Sequence, residues 1–296
     1  MRRGFFGILW LAVFVAAGAV LGAHIHHGFA RPAGAVAGGV LFAGALWWNW
    51  LPGLRRRRAL RWGIAQVFWL IGGFIAAQIA GNLFYESGLP KLISLVTGAP
   101  APKLGLVGGA LVGYLAASLF SLWYIGRLGP ARLRDGSPTG IAWRAAPKRA
   151  YLTAILLACG IIVLVIMIVH VAPPDLTKLK AMPSAKLFDS PGPAGFLLLL
   201  LAVFIAPPVE EYVFRGGIFA ALASRVSPLW AGVITTLLFM AVHAPEKMYY
   251  PPGFIDVGLM AAAAAWMRVR FGSIRPGILL HIAYNGGLML AAGLAG

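Results

Sequence analysis

Residues 194–215, AGFLLLLLAVFIAPPVEEYVFR, decide the fold. The stretch is long enough to cross a bilayer, for which a helix needs about 20 predominantly apolar residues. Its second half nevertheless carries Glu210, Glu211 and Arg215. A charge at the centre of a bilayer costs at least about 2.5–3.5 kcal/mol on insertion scales, so such groups are paired or kept for function. On a helix Glu211 and Arg215 stand four apart with the acid first, the better order for an ion pair. Glu210 points about 100° away and is expected to be unpaired. Pro207 and Pro208 withdraw two N–H donors just before it, which predicts a kink or restart of the helix and room for water beside Glu210. A purely structural Glu–Arg tie is the plain alternative.

The remainder of the chain has the same character. Of its 296 residues 60% are hydrophobic and 11% charged, whereas soluble domains carry about a quarter charged residues. Apolar segments at 4–23, 33–51, 62–84, 104–125, 150–172, 194–215, 229–243, 253–267 and 277–295 predict an all-α fold, a polytopic transmembrane helical bundle of about eight or nine helices. The seventh and eighth segments are short. Pro- and Gly-rich turns at 98–102, 173–174, 191–193 and 251–253 separate spans, and neither a repeat nor a soluble domain is visible.

The net charge of +17 could signal nucleic-acid binding, but the basic residues lie in short runs between apolar segments, the pattern that orients membrane proteins. Membrane lipids are the expected partners, with no nucleic acid. With the N-terminus in the cytoplasm, 17 of the 25 basic residues fall inside and seven outside, Arg215 lying within a span. The expected location is the cytoplasmic membrane, multi-pass. Arg2 and Arg3 precede an apolar stretch with a small-residue site at Ala17-Gly18-Ala19, but its length favours an uncleaved helix over a signal peptide. The single cysteine, Cys159, excludes an internal disulfide and a cysteine metal site.

Two further polar elements follow. Phe239-Met240-Ala241-Val242-His243 ends the seventh segment. The preceding turn centres near Arg225-Val226-Ser227-Pro228, so Glu210 and His243 lie at similar distances on either side of it and, at 1.5 Å per residue, at similar depth. His281-Ile282-Ala283-Tyr284-Asn285 places an imidazole and an amide at i and i+4 on one helix face, two donors suited to holding an oxyanion. Measured from Arg275 they lie shallower than Glu210, so the hairpin of the sixth and seventh helices is expected to project past the membrane on the inner side.

Together, Glu210-Glu211-x-x-x-Arg215, Phe239-x-x-x-His243 and His281-x-x-x-Asn285, in this order in a hydrophobic C-terminal region, resemble the CPBP family of intramembrane proteases, also called the CAAX protease and bacteriocin-processing (Abi) family. The resemblance covers roughly residues 195–295, and Arg215-Gly216-Gly217 is close to its pattern. It implies that Glu210 is the catalytic glutamate acting with His243 on a water. Glu211 and Arg215 would be supporting members, and His281 and Asn285 would stabilise the oxyanion. It also implies accessory transmembrane helices over 1–193 and a catalytic core over 194–296, with membrane-associated peptides or protein C-termini as substrates. A prenylated-cysteine substrate is implied only for eukaryotic relatives.

Glu210, His243 and His281 could instead bind zinc, a two-His, one-Glu set with an open position. No His-Glu-x-x-His helix is present, and the expectation is a glutamate peptidase without a cofactor. Intramembrane acids and histidines also make proton relays, but no polar sites in the first half match those of the last third, as an inverted repeat tends to show. A non-catalytic membrane scaffold or immunity protein is the third reading. Outside the motifs, His24, His26, His27 and His170 read as loop or interfacial residues and Asp256 as a helix N-terminal cap. Trp47, Trp48 and Trp50 read as an aromatic belt, and Arg55-Arg56-Arg57-Arg58 as a topology signal that could also meet anionic headgroups.

Overall fold

The structure, a computed structural model, describes residues 62–100, 105–128, 140–182, 185 and 193–295. The expected spans at 4–23 and 33–51, the Arg55 to Arg58 run, the first three histidines, the tryptophans at 47, 48 and 50 and the cleavage-site reading lie outside the described residues. The seven other apolar segments are all helical, and no strand occurs among the described residues.

The chain forms two compact units, Met1–Gly129 and Pro130–Gly296. In the first, α1 (Ile64–Leu83) continues through a π-helical turn, Phe84–Gly88, into α2 (Leu89–Thr97), and pairs with α3 (Leu106–Gly126). Phe74 meets Tyr114 edge to face at 5.6 Å. Small residues let the two backbones close up, a Cβ on Gly81 falling 2.9 Å from the Gly113 Cα. This is how helices associate where lipid removes the hydrophobic drive.

The second unit comprises α4 (Lys148–Val171), the short α5 (Leu176–Lys180) and a continuous helical rod. The rod is made of α6 (Pro193–Leu200), a π turn Leu201–Ile205, α7 (Ala206–Glu211), a second π turn Tyr212–Ile218 and α8 (Phe219–Ala223). Then come α9 (Pro228–Lys247), α10 (Gly253–Phe271) and α11 (Arg275–Ala295). α4 packs on α10 and α11, α9 on α10, and α10 on α11. Five helical runs, Ile64–Thr97, Leu106–Gly126, Lys148–Val171, Gly195–Ala223 and Pro228–Lys247, are long and apolar enough to cross a membrane. The protein is thus an all-α, multi-pass membrane protein.

Two helices outrun their sequence boundaries. α9 continues four residues past His243 to Lys247 with Pro245 inside it, because a proline in the last turn forfeits only one helical bond. α10 reaches Phe271 because Arg268 does not end it. Arg268 Nε donates to the Arg215 carbonyl at 3.2 Å, its NH2 to Gly140 O at 3.1 Å, and its guanidinium lies over Phe219 at 4.8 Å. The first turn of α11 packs against the rod at Glu211. Gly277, two residues into α11, already lies level with Glu211, where an added Cβ would come 3.4 Å from Oε2.

Residues 140–147 close this end of the unit. Ala142 O accepts from Ile274 N at 3.0 Å, and Arg144 Nε donates to Gly272 O at 2.6 Å. The segment passes so close to the second π turn that a Cβ on Gly216 would stand 2.6 Å from Ile141 Cγ2. Gly216→Val should therefore lower the unfolding free energy by about 1–3 kcal/mol, the ordinary cost of overpacking, read as a reduced Tm in detergent; an unchanged Tm would show that the 140–147 segment is not held there.

Candidate functional site

The rod turns on its prolines. In the π register Ala206 N–H bonds to Leu201 O, so the next donor, the one that would reach Ala202 O, belongs to residue 207, a proline with no N–H. Asn285 Nδ2, from α11, donates to Ala202 O at 2.8 Å instead. The expected kink is thus a widened turn, a recognised cause of helix bending, stitched to a neighbouring helix by a motif residue.

Beyond this turn the two glutamates part company. Glu211 is fully buried and pairs with Arg215 NH1 at 3.0 Å, both side chains having no exposure. Arg215 NH2 donates to Ala261 O of α10 at 2.7 Å, and its guanidinium lies 4.6 Å above the Phe239 ring. The sequence-derived pair is therefore present, completed by a carbonyl and an aromatic face. The side chain of Glu210 is 18% exposed. It is not unpaired as expected, because Oε2 lies 3.8 Å from His281 Nε2. The two prolines moved the backbone enough to bring α11 against it.

His281 sits between both carboxylates. Its Nδ1 is 3.3 Å from Glu211 Oε1 and its Nε2 faces Glu210. An ionised carboxylate only accepts, so Nδ1 carries a proton and the ring is fixed with Nε2 toward Glu210. His243 is fixed in a similar way. Its Nδ1 lies 2.8 Å from the Phe239 carbonyl, which also only accepts, so the proton is on Nδ1 and the Nε2 lone pair is left for chemistry.

Phe239 is the hub. Its fully buried ring stacks on His243 at 4.4 Å, meets His281 edge-on at 5.8 Å and Phe214 at 5.0 Å, and receives Arg215 on its face. Its position at i−4 from His243 marked it in the sequence, but nothing there disclosed that three motif side chains and Phe214 share one ring.

Among the described residues no three His, Cys, Asp or Glu side chains converge as a metal-holding group. Of the donor set Glu210, His243 and His281, Glu210 Oε2 and His281 Nε2 stand 3.8 Å apart, while His281 Nδ1 is engaged by Glu211. Asp256 does not cap α10. It accepts from the Tyr284 hydroxyl and faces Lys247 Nζ at 3.6 Å. The signal lay in Tyr284, a phenol in a span that needs a polar partner, with Asp256 the acid on the neighbouring helix.

Residues 192–287 match the model of a family described as type II CAAX prenyl endopeptidase Rce1-like. All seven motif residues fall within this third of the chain, and the match bears out the resemblance read from them: the region is similar to a protease family. Comparison with curated proteins and with solved structures finds no match.

Removing one member of a buried pair leaves the other charge uncompensated, at about 3–5 kcal/mol. Glu211→Ala and Arg215→Ala should lower unfolding free energy by that amount, whereas Glu210→Ala, at a partly exposed position, should change it by within about 1 kcal/mol. Unfolding measured in the same detergent checks the contrast, and equal losses at Glu210 and Glu211 would refute it.

Proposed function

We propose, from the match of residues 192–287 to a protease family, that the chain is an intramembrane endopeptidase that hydrolyses membrane-associated peptides or protein C-termini through a glutamate-activated water. The observation that carries this reading is the unequal pair. Glu210 is a partly exposed carboxylate set beside a fully buried Glu211–Arg215 tie and faced by the His281 imidazole.

Glu210 takes a proton from water as the hydroxide oxygen bonds to the scissile carbonyl carbon. The C–N bond then breaks, and the proton goes to the leaving amine. His243, its Nε2 lone pair set by the Phe239 carbonyl, assists the proton transfers. His281, when protonated, offers Nε2–H to the tetrahedral oxyanion. Asn285, with one N–H committed to Ala202 O, contributes its second. Donors aimed at developing charge in a dry site contribute about 10²–10³ each in rate. No resident metal is assigned. The reading places the protein in the cell membrane with its N-terminus in the cytoplasm, as the distribution of basic residues supports. The substrate site opens toward the cytoplasm or laterally to lipid.

The test is cleavage of a membrane-peptide library by purified protein in lipid nanodiscs, read by mass spectrometry, with and without chelator. Glu210→Ala and His243→Ala should abolish cleavage while remaining folded, and wild type should survive chelation. Cleavage by Glu210→Ala would sink the mechanism. A folded wild type that cuts nothing would shift weight to the scaffold or immunity reading.

A further inference from the structure

One turn beyond the site residues on two helices lies a second feature. On α9, Lys247 follows His243 by four residues, and on α11, Tyr284 follows His281 by three. Between these and the start of α10 a cleft of about 200 Å³ is lined by Val165, Ile168 and Val169 of α4, Leu179 of α5, and Lys247 and Asp256 at its polar end. Asp256 is 5% exposed. Its Oδ2 is engaged by Tyr284 and Lys247, but its Oδ1 is buried with no hydrogen-bond partner. The Lys247 side chain crowds the approach: a Cβ on Gly253 would fall 3.6 Å from that oxygen and 2.9 Å from Lys247 Cδ, so a donor reaching Oδ1 displaces this flexible side chain.

A buried carboxylate oxygen without a donor costs free energy that a ligand's N–H or O–H would recover. Asp256 and Lys247 already sum to zero charge, so an ammonium such as a lipid headgroup's would leave an uncompensated cation in a low dielectric. A neutral donor would not. The cleft is also smaller than the roughly 300–1,000 Å³ of whole small-molecule sites, and its other walls are apolar apart from the Tyr250 phenol, whose hydroxyl donates to Ala172 O. A neutral N–H adjoining one apolar side chain is what a polypeptide offers.

We propose that this cleft is a substrate subsite: it takes one apolar side chain of the membrane peptide, with a neighbouring main-chain N–H donated to Asp256 Oδ1, a few residues from the scissile bond. The proposal rests on the peptidase reading for its place in a reaction, but the cleft can be tested without turnover.

The probe is a hydrophobic transmembrane peptide carrying one photo-leucine, irradiated with the full-length protein in phosphatidylcholine nanodiscs with and without phosphatidylethanolamine, and the adducts are mapped by mass spectrometry. A parallel sample holds a photoactivatable phosphatidylethanolamine. Peptide adducts should fall on the 165–179 and 247–256 walls and drop about tenfold in Leu179→Trp and in Gly253→Ala, the scale of one hydrogen bond lost with its packing. For a peptide that is cut, the same variants should raise KM about tenfold and leave kcat unchanged, since they remove binding that does not grow in the transition state. Peptide adducts at the cleft without any cleavage would keep the subsite and remove the peptidase reading. Glu210-dependent cleavage with no adduct at the cleft would do the reverse. Labelling by the lipid probe and not the peptide would overturn the proposal in favour of a lipid site.

Discussion

The buried ion pair of Glu211 and Arg215 is the constraint on which the C-terminal unit depends. Two ions taken out of water cost several kcal/mol each after relaxation, recovered only when geometry and further hydrogen bonds are good. Here every added partner comes from a different helix. The Ala261 carbonyl is on α10, the Phe239 ring on α9 and the His281 imidazole on α11. Partnering one guanidinium and one carboxylate therefore ties three helices to the rod. The α10–α11 contact is close here as well, since a Cβ on Gly277 would come 3.4 Å from both Glu211 Oε2 and Ala264 Cβ. In lipid, where apolar side chains gain little by meeting one another, a buried ion pair bonded to three helices is a strong source of such order, even with Glu211 Oε2 and Arg215 Nε left without hydrogen-bond partners.

The prolines act on this cluster through the backbone. In an α-helical register the rings of Pro207 and Pro208 would press on the carbonyls of Val203 and Phe204. Widening the preceding turn relieves that clash and leaves the Ala202 carbonyl looking outward. Asn285 then does for the backbone what a helical N–H would have done. The link joins the bend of the rod to α11, so the same helix that brings His281 to the glutamates also holds the turn that presents them.

Much of this was legible because the sequence states it in helical periodicities. The seven described helical segments and the Glu211–Arg215 pair at i,i+4 follow from apolar runs and residue spacing alone. What was not legible depends on backbone departures and on neighbours distant in sequence. A proline pair announces a broken ladder, but whether the chain kinks or widens is set by what can serve the freed carbonyl, here an amide 83 residues away. For the same reason Glu210 read as unpaired, since nothing local to residues 206–215 reveals His281 at 3.8 Å. Asp256 was misread because its position near a helix start matches a cap, while its partners Tyr284 and Lys247 lie on other helices. Arg268 read as an end of span because its carbonyl partners, Arg215 and Gly140, are far off in the chain.

The adjacency of the two glutamates has a physical rationale under the proposed mechanism. A base that takes a proton from water and returns it each cycle must pass through its neutral form every turnover. A carboxylate that holds a buried guanidinium cannot do so without unmaking the pair that ties three helices to the rod. Neighbouring helical positions point about 100° apart, enough to place one carboxylate in the dry interior and the other at its partly exposed edge. His281 lies between them, its Nδ1 held by the permanent charge and its Nε2 directed at the changing one. Glu211 thus keeps the imidazole oriented while Glu210 cycles, and the fold is insulated from the proton traffic beside it.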